Sequence, residues 1–77
     1  MMSVATIGGA VRTARKTMGL RQDELAAAAG VGLRFLGELE RGKATVQLGR
    51  TLSVLAAVGL DLRIVARRSS PDSALPA

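Results

Sequence analysis

The sequence contains neither cysteine nor histidine. Disulfides, thiol nucleophiles, zinc fingers and imidazole acid–base chemistry are therefore excluded. Tryptophan and tyrosine are also missing, and Phe35 is the sole aromatic residue. With 77 residues the chain makes one small domain, and a domain of this size buries only roughly 60% of its unfolded surface. Its stability must come from tightly packed helices or from a second subunit, since no covalent staple is available. Long apolar runs are lacking too: the stretch from Leu52 to Leu60 is far too short to span a bilayer, so no membrane association is expected. No basic segment precedes an apolar run at the N-terminus, and the expected location is the reducing cytoplasm. Acidic residues are scarce, six against eleven Lys and Arg, giving a net charge of +5 that favours a polyanionic partner.

Gly19, Gly30, Gly42 and Gly59 divide what remains into segments of helical period, each glycine being able to close a helix in the left-handed conformation. Ile7, Val11, Ala14 and Met18 stack on one face of a first helix over about residues 6–18, with Thr6 as N-cap and Arg15 and Lys16 at the C-terminal end of the dipole. Gly8 and Gly9 weaken its start. A second helix runs from Gln22 to Ala29, with Asp23 and Glu24 in its first turn and four alanines behind Leu25. A third follows almost at once, Leu33 to Arg41; so short a connection demands a steep crossing, for which Ala26, Ala29 and Gly30 provide small residues. Thr45 is the expected N-cap of a fourth helix, which lines up Leu48, Leu52, Leu55 and Ala56 and is closed by Gly59.

Beyond Gly59 the period changes to two. Leu60, Leu62, Ile64 and Ala66 alternate with Asp61, Arg63, Val65 and Arg67, which predicts a short strand. No other strand is legible, so Leu62, Ile64 and Val65 are expected to pair with the same strand of a second copy. The fold class is thus all-α, a bundle of four or five helices with a short C-terminal β-strand for dimerisation. Residues 1–60 form the helical domain, 61–68 the dimerisation strand and 69–77 a disordered tail rich in Ser, Pro and Ala.

The stretch from Arg21 to Gly42, Gln-x-Glu-Leu-Ala-x-x-x-Gly-Val followed by a helix ending Leu-Glu-Arg-Gly, resembles the helix-turn-helix of the lambda-repressor-like (XRE) family. The resemblance extends over roughly residues 7–60. A narrower likeness, carried by Ala44-Thr-Val-Gln-Leu-Gly, the leucine-rich helix and the strand after Gly59, is to the HipB-like antitoxins. Such a likeness implies a homodimer that binds a palindromic operator in double-stranded DNA, represses its own operon and sequesters a HipA-like serine/threonine kinase toxin. The wider resemblance to the XRE family implies a buried ion pair between Arg15 and Glu40 that bridges the first and third helices, and a phosphate contact from Gln22.

The residues themselves are compatible with this. If Leu36 and Leu39 face the other helices, then Leu33, Arg34, Gly37, Glu38 and Arg41 lie on the side available to a major groove. Arg34 offers a bidentate contact to guanine, Leu33 an apolar contact to a thymine methyl, and Glu38 an acceptor for a cytosine amine. Gly37 keeps the helix slim. Gln22 at a helix N-terminus, together with Arg21, Arg41, Lys43 and Thr45, supplies candidate phosphate contacts. The motif is slightly acidic, three arginines against four acids; the surplus of positive charge lies outside it, in Arg12, Arg15, Lys16, Lys43, Arg50, Arg63, Arg67 and Arg68. No nucleophile–base pair or carboxylate dyad can be assembled from Asp23, Glu24, Glu38, Glu40, Asp61 and Asp72, so no enzyme, metal or cofactor is expected. Two rivals to the antitoxin remain open: a free-standing regulator of the same family, and an interaction module that kept the fold without binding DNA.

Overall fold

A computed structural model describes residues 3–66. Its four helices are α1 (Val4–Thr17), α2 (Gln22–Ala29), α3 (Leu33–Glu40) and α4 (Leu48–Ala57). The second helix has the bounds expected from sequence, and the third is one residue shorter. The first starts two residues earlier than expected, because Ser3 and not Thr6 is the N-cap: its hydroxyl accepts from the Thr6 amide at 3.2 Å. A serine three residues upstream satisfies a free N–H of the first turn, which lets Val4 join the helix and pack on the core.

Helix α4 departs further. Thr45 does not cap it; the N-cap is Gln47, without a side-chain hydrogen bond. The chain from Lys43 to Val46 makes a turn, closed by the Val46 amide donating to the Lys43 carbonyl at 3.4 Å, so Thr45 lies within that turn and the N-cap position falls two residues later, on Gln47. The turn carries Val46 back against the core. Within α4, the Thr51 hydroxyl is satisfied by the Gln47 carbonyl at 2.9 Å, which is how a threonine can be buried there.

The core consists of Val11 from α1, Leu25 and Ala26 from α2, Leu36 and Leu39 from α3, and Val54, Leu55 and Val58 from α4 and its end. Helix α3 is central to it, in contact with α1 on one side and α2 on another, while α4 closes over α2. Close approach is achieved at a place the periodicity did not single out. A Cβ on Gly8 would overlap the carbonyl oxygen of Leu39, so the backbones of α1 and α3 touch there. Gly42, at φ +80°, meets α1 likewise: a Cβ would lie 2.8 Å from the Ala5 Cα. What reads in sequence as a weakened helix start is thus the crossing point of two helices. Gly30, by contrast, has open space around it and serves the positive φ of +70° that ends α2.

After Gly59 the chain turns back over α1 and α4. Leu60 and Leu62 are half-buried against the core, and with Ile7, Ala10 and Leu55 they line a small apolar groove. Asp61 and Arg63 point outward, so the predicted alternation holds over these four residues. No strand forms among the described residues, and Ile64 and Val65 are 78% and 79% exposed. The physical reason is that a strand exists only through its ladder, and a single chain offers this segment no partner. Arg67, Arg68 and the expected tail, 69–77, lie outside the described residues.

Candidate nucleic-acid interface

The connection Gly30-Val31-Gly32 fixes how α3 is presented. Gly30 takes the left-handed conformation, the Val31 amide returns to the Ala26 carbonyl at 3.0 Å, and Gly32 caps α3. Helix α3 is sharply two-faced. Leu36 and Leu39 are fully buried, whereas Leu33 is 52% exposed and the Arg34 side chain 91% exposed. The core is thus served by one face of α3, and the opposite face is left free to meet a partner.

Of the other residues expected on this face, Gly37 is not presented. The Arg41 side chain lies back over it, its Nη1 only 3.2 Å from where a Gly37 Cβ would be. The missing side chain leaves a slot one turn ahead of Arg41, and the guanidinium fills it. In the free protein Gly37 is thus buried beneath the Arg41 side chain. Glu38 is present on the face but already engaged: its Oε2 accepts from Lys43 Nζ at 2.9 Å and lies 3.6 Å from Arg34 Nε. The hydrogen bond from Lys43 is the largest influence on the Glu38 carboxyl; desolvation opposes it, and the charges of Lys43, Arg34 and Arg41 add to it, so that Glu38 is held below its ordinary range.

A second cluster on α3 is the ion pair that ties it to α1. Arg15 donates from Nε to Glu40 Oε2 at 2.7 Å and from Nη2 to Oε1 at 3.0 Å, a bidentate pair, and its Nη1 reaches the Leu20 carbonyl at 2.9 Å. The two side chains are only 10% and 3% exposed. Gln22 joins them, its Nε2 donating to Glu40 Oε1 at 3.1 Å. The expected phosphate ligand at the start of α2 thus gives one of its two amide N–H groups to an internal carboxylate and keeps the other for a second acceptor. Burial pushes the Glu40 carboxyl up, but hydrogen bonds from Arg15 and Gln22 and the charges of Arg15 and Arg12 outweigh it, leaving Glu40 below its ordinary range.

Arg21, the N-cap of α2, has no acceptor in its side chain, so only one half of a capping box is made: its amide donates to Glu24 Oε1 at 2.8 Å. Asp23 serves the other half by accepting from the Glu24 amide at 3.0 Å, and it also accepts from Arg21 Nε at 3.1 Å. Arg21 and its acids are well exposed. Thr45 is exposed in its turn.

Two further cations frame the face. Arg12 and Arg41 stand with Arg15, Gln22 and Glu40 around a hollow of about 270 Å³. Arg50, from the first turn of α4, borders a second hollow of about 440 Å³ with Arg34, Phe35 and Glu38. In the sequence Arg12 and Arg50 counted only toward net charge. The available signal was positional, Arg12 lying one helical turn ahead of Arg15 and Arg50 at the start of the helix that follows the motif. Among the described residues no cluster of acids suited to a metal ion occurs, and no helix is long and apolar enough to cross a membrane.

Comparison with known proteins agrees with this architecture. The family described as Helix-turn-helix matches residues 11–65, which spans all of α2, α3 and α4. An uncharacterized HTH-type transcriptional regulator of Sinorhizobium fredii, y4mF, is 55% identical over 62 residues, covering 80% of this chain and 82% of the relative. With its short α2–α3 connection, its two-faced α3 and these matches, the chain belongs to the XRE-type helix-turn-helix family.

Proposed function

We propose that the protein is a DNA-binding transcriptional regulator that acts as a homodimeric, sequence-specific repressor. The observation that carries this reading is the outer face of α3, where Leu33 and Arg34 stand exposed, with Lys43 and Arg50 gathered near Arg34 and Glu38 and with Arg12 and Arg41 at a second hollow beside Glu40. An arginine and an aliphatic side chain on a helix free to enter a major groove are base-reading groups, and the surrounding cations suit phosphate. The relative in Sinorhizobium fredii bears the name of a transcriptional regulator, which supports the same reading.

In this proposal Arg34 reads guanine, Leu33 meets a thymine methyl, and Arg41, Lys43, Thr45, Arg21 and Gln22 hold the backbone. Two recognition helices related by a two-fold axis read half-sites about one helical turn, ~34 Å, apart. The bare side chains of Ile64 and Val65, beside the half-buried Leu62, favour pairing of this segment between two copies. The further step, to a HipB-like antitoxin that holds a HipA-like kinase, rests on the sequence likeness of residues 44–49, the leucine-rich α4 and the segment after Gly59. The alternative is a free-standing regulator without a toxin. A kinase-like reading frame directly beside the gene distinguishes the first from the second.

The test is binding to the DNA upstream of the protein's own gene, across a salt series and against random duplex. A sequence-specific reader prefers the upstream DNA at ~150 mM salt, with log K falling by about 0.9 per phosphate contacted for each tenfold rise in salt. Arg34→Ala is expected to abolish the preference while sparing much of the salt-dependent binding. No preference over random DNA sinks the repressor reading.

A further inference from the structure

The acid on the reading face is the feature that DNA binding by itself leaves unexplained. Glu38 sits one turn beyond Arg34 on α3, and its Oε2 is shared by Lys43 at 2.9 Å and Arg34 at 3.6 Å. Its side chain is 21% exposed, far less than either cation, so the carboxylate is the fixed member and the two long side chains come to it. Lys43 belongs to the loop after α3, where its amide donates to the Glu38 carbonyl at 3.0 Å, and its ammonium is thereby brought back over the same residue. Arg50 lies across the hollow from Glu38. A carboxylate on a surface meant for a polyanion weakens attraction to any duplex, whatever its sequence.

We infer that Glu38 is a specificity-determining residue acting as an internal counter-ion, which occupies Lys43 and Arg34 until a matching sequence draws them away. The inference rests on the DNA-binding reading above. On random DNA the phosphates compete with a carboxylate that is already in place, so the two cations add little to affinity. At a matching site Arg34 gains base-edge hydrogen bonds that phosphate contact does not offer, and leaves Glu38 for them. Lys43 then keeps the carboxylate neutralised or turns to the backbone. The acid lowers non-specific binding more than specific binding, and so widens the ratio between them, which is the quantity that matters where random sites are in vast excess.

Glu38→Gln retains the side chain's shape and removes its charge. Wild type and variant are titrated with a 20-base-pair duplex of mixed sequence between about 50 and 300 mM salt, and each is used to select from a randomised duplex pool. The variant is expected to bind the mixed duplex about tenfold more tightly near 100 mM salt, with the salt slope steeper by about 0.9 for each cation released, up to ~1.8. Its selected pool should be less sharply defined. Release of Lys43 is checked by a cycle: Lys43→Gln costs more affinity for the mixed duplex in the Glu38→Gln background than in wild type. A variant that binds the mixed duplex no better, with an unchanged slope, overturns the inference, as does one whose selected pool loses a single position while non-specific affinity stays the same, since Glu38 then reads a base. Wild type that binds no duplex at about 50 mM salt overturns the DNA-binding reading together with this one.

Discussion

Replacing Glu40 by alanine removes the acceptor on which three donors converge. Arg15 loses both arms of its bidentate pair and keeps only the Leu20 carbonyl, while the Gln22 amide loses its partner altogether. A guanidinium held at 10% exposure and left uncompensated costs about 3 to 5 kcal/mol. The hollow bordered by Arg12, Arg15, Gln22, Glu40 and Arg41 admits water to one side of the pair, which places the expected loss at the lower end, about 3 kcal/mol. In a domain of this size each kcal/mol lowers the melting temperature by roughly 4–8 °C, so a fall of about 12–24 °C is expected. Thermal unfolding followed by circular dichroism at 222 nm measures it. Glu40→Gln, which keeps one acceptor but no charge, should fall between wild type and alanine. The double replacement Arg15→Met with Glu40→Leu should recover most of the loss, because an apolar pair of similar volume has no charge to strand. A drop under about 4 °C for Glu40→Ala refutes the reasoning, for it would mean that water solvates Arg15 as well as Glu40 does.

The same pair fixes a pH dependence. Glu40 has a carboxyl pKa below the ordinary 4.5, so it contributes stability that is fully present above the unfolded value and is lost as pH falls through the folded one. Wild type should therefore lose melting temperature on acidification below about pH 4.5, and Glu40→Gln should lose less over the same interval. Equal losses in the two proteins would assign the acid sensitivity elsewhere.

Adjacent glycines in α1 give opposite expectations. Gly8→Ala drives a methyl group into the Leu39 carbonyl and should destabilise by about 1–3 kcal/mol, whereas Gly9→Ala points into open space within a helix and should stabilise by roughly 0.5–1 kcal/mol. Urea midpoints at unchanged m value decide both, and the same sign at the two positions would contradict the crossing geometry. Arg12→Ala should weaken binding to matching and random duplexes alike and reduce the salt slope by about 0.9, with a far smaller change in melting temperature than Glu40→Ala; a loss confined to the matching duplex would make Arg12 a base reader.

Helix α2 and the two-faced α3 were legible because their signals are local: acids in a first turn, a left-handed glycine, and leucines at helical spacing. The capping errors have one source. Ser3 and Thr6 are both competent caps, as is Thr45, and which of them caps depends on where the following turn packs, a tertiary fact. Gly8 shows the same limit more sharply, since a glycine that weakens a helix and a glycine that admits a neighbouring backbone read identically until the neighbour is in place. The strand after Gly59 is another case. Its alternation is visible over Leu60 to Arg63, but pairing requires a second chain.

Charge is where sequence and structure differ most instructively. Counted along the chain, the motif from Arg21 to Gly42 is acidic, three arginines against four acids, an odd balance for a surface that meets DNA. Placed in space, the acids are largely spoken for. Glu40 is turned inward to Arg15 and Gln22, Asp23 and Glu24 cap α2 beside Arg21, and Glu38 is covered by Lys43. Two of the four cations paired with these acids, Arg15 and Lys43, come from outside the motif in sequence, the others being Arg21 and Arg34. Arg12, Arg41 and Arg50, drawn from α1, the end of α3 and α4, border the hollows beside α3 and are free of close acidic partners among the described residues. A net charge summed over a contiguous motif therefore has little bearing on the field that the folded face presents. What decides it is which acids already hold a partner, and Glu38 is the one whose partners DNA can also claim.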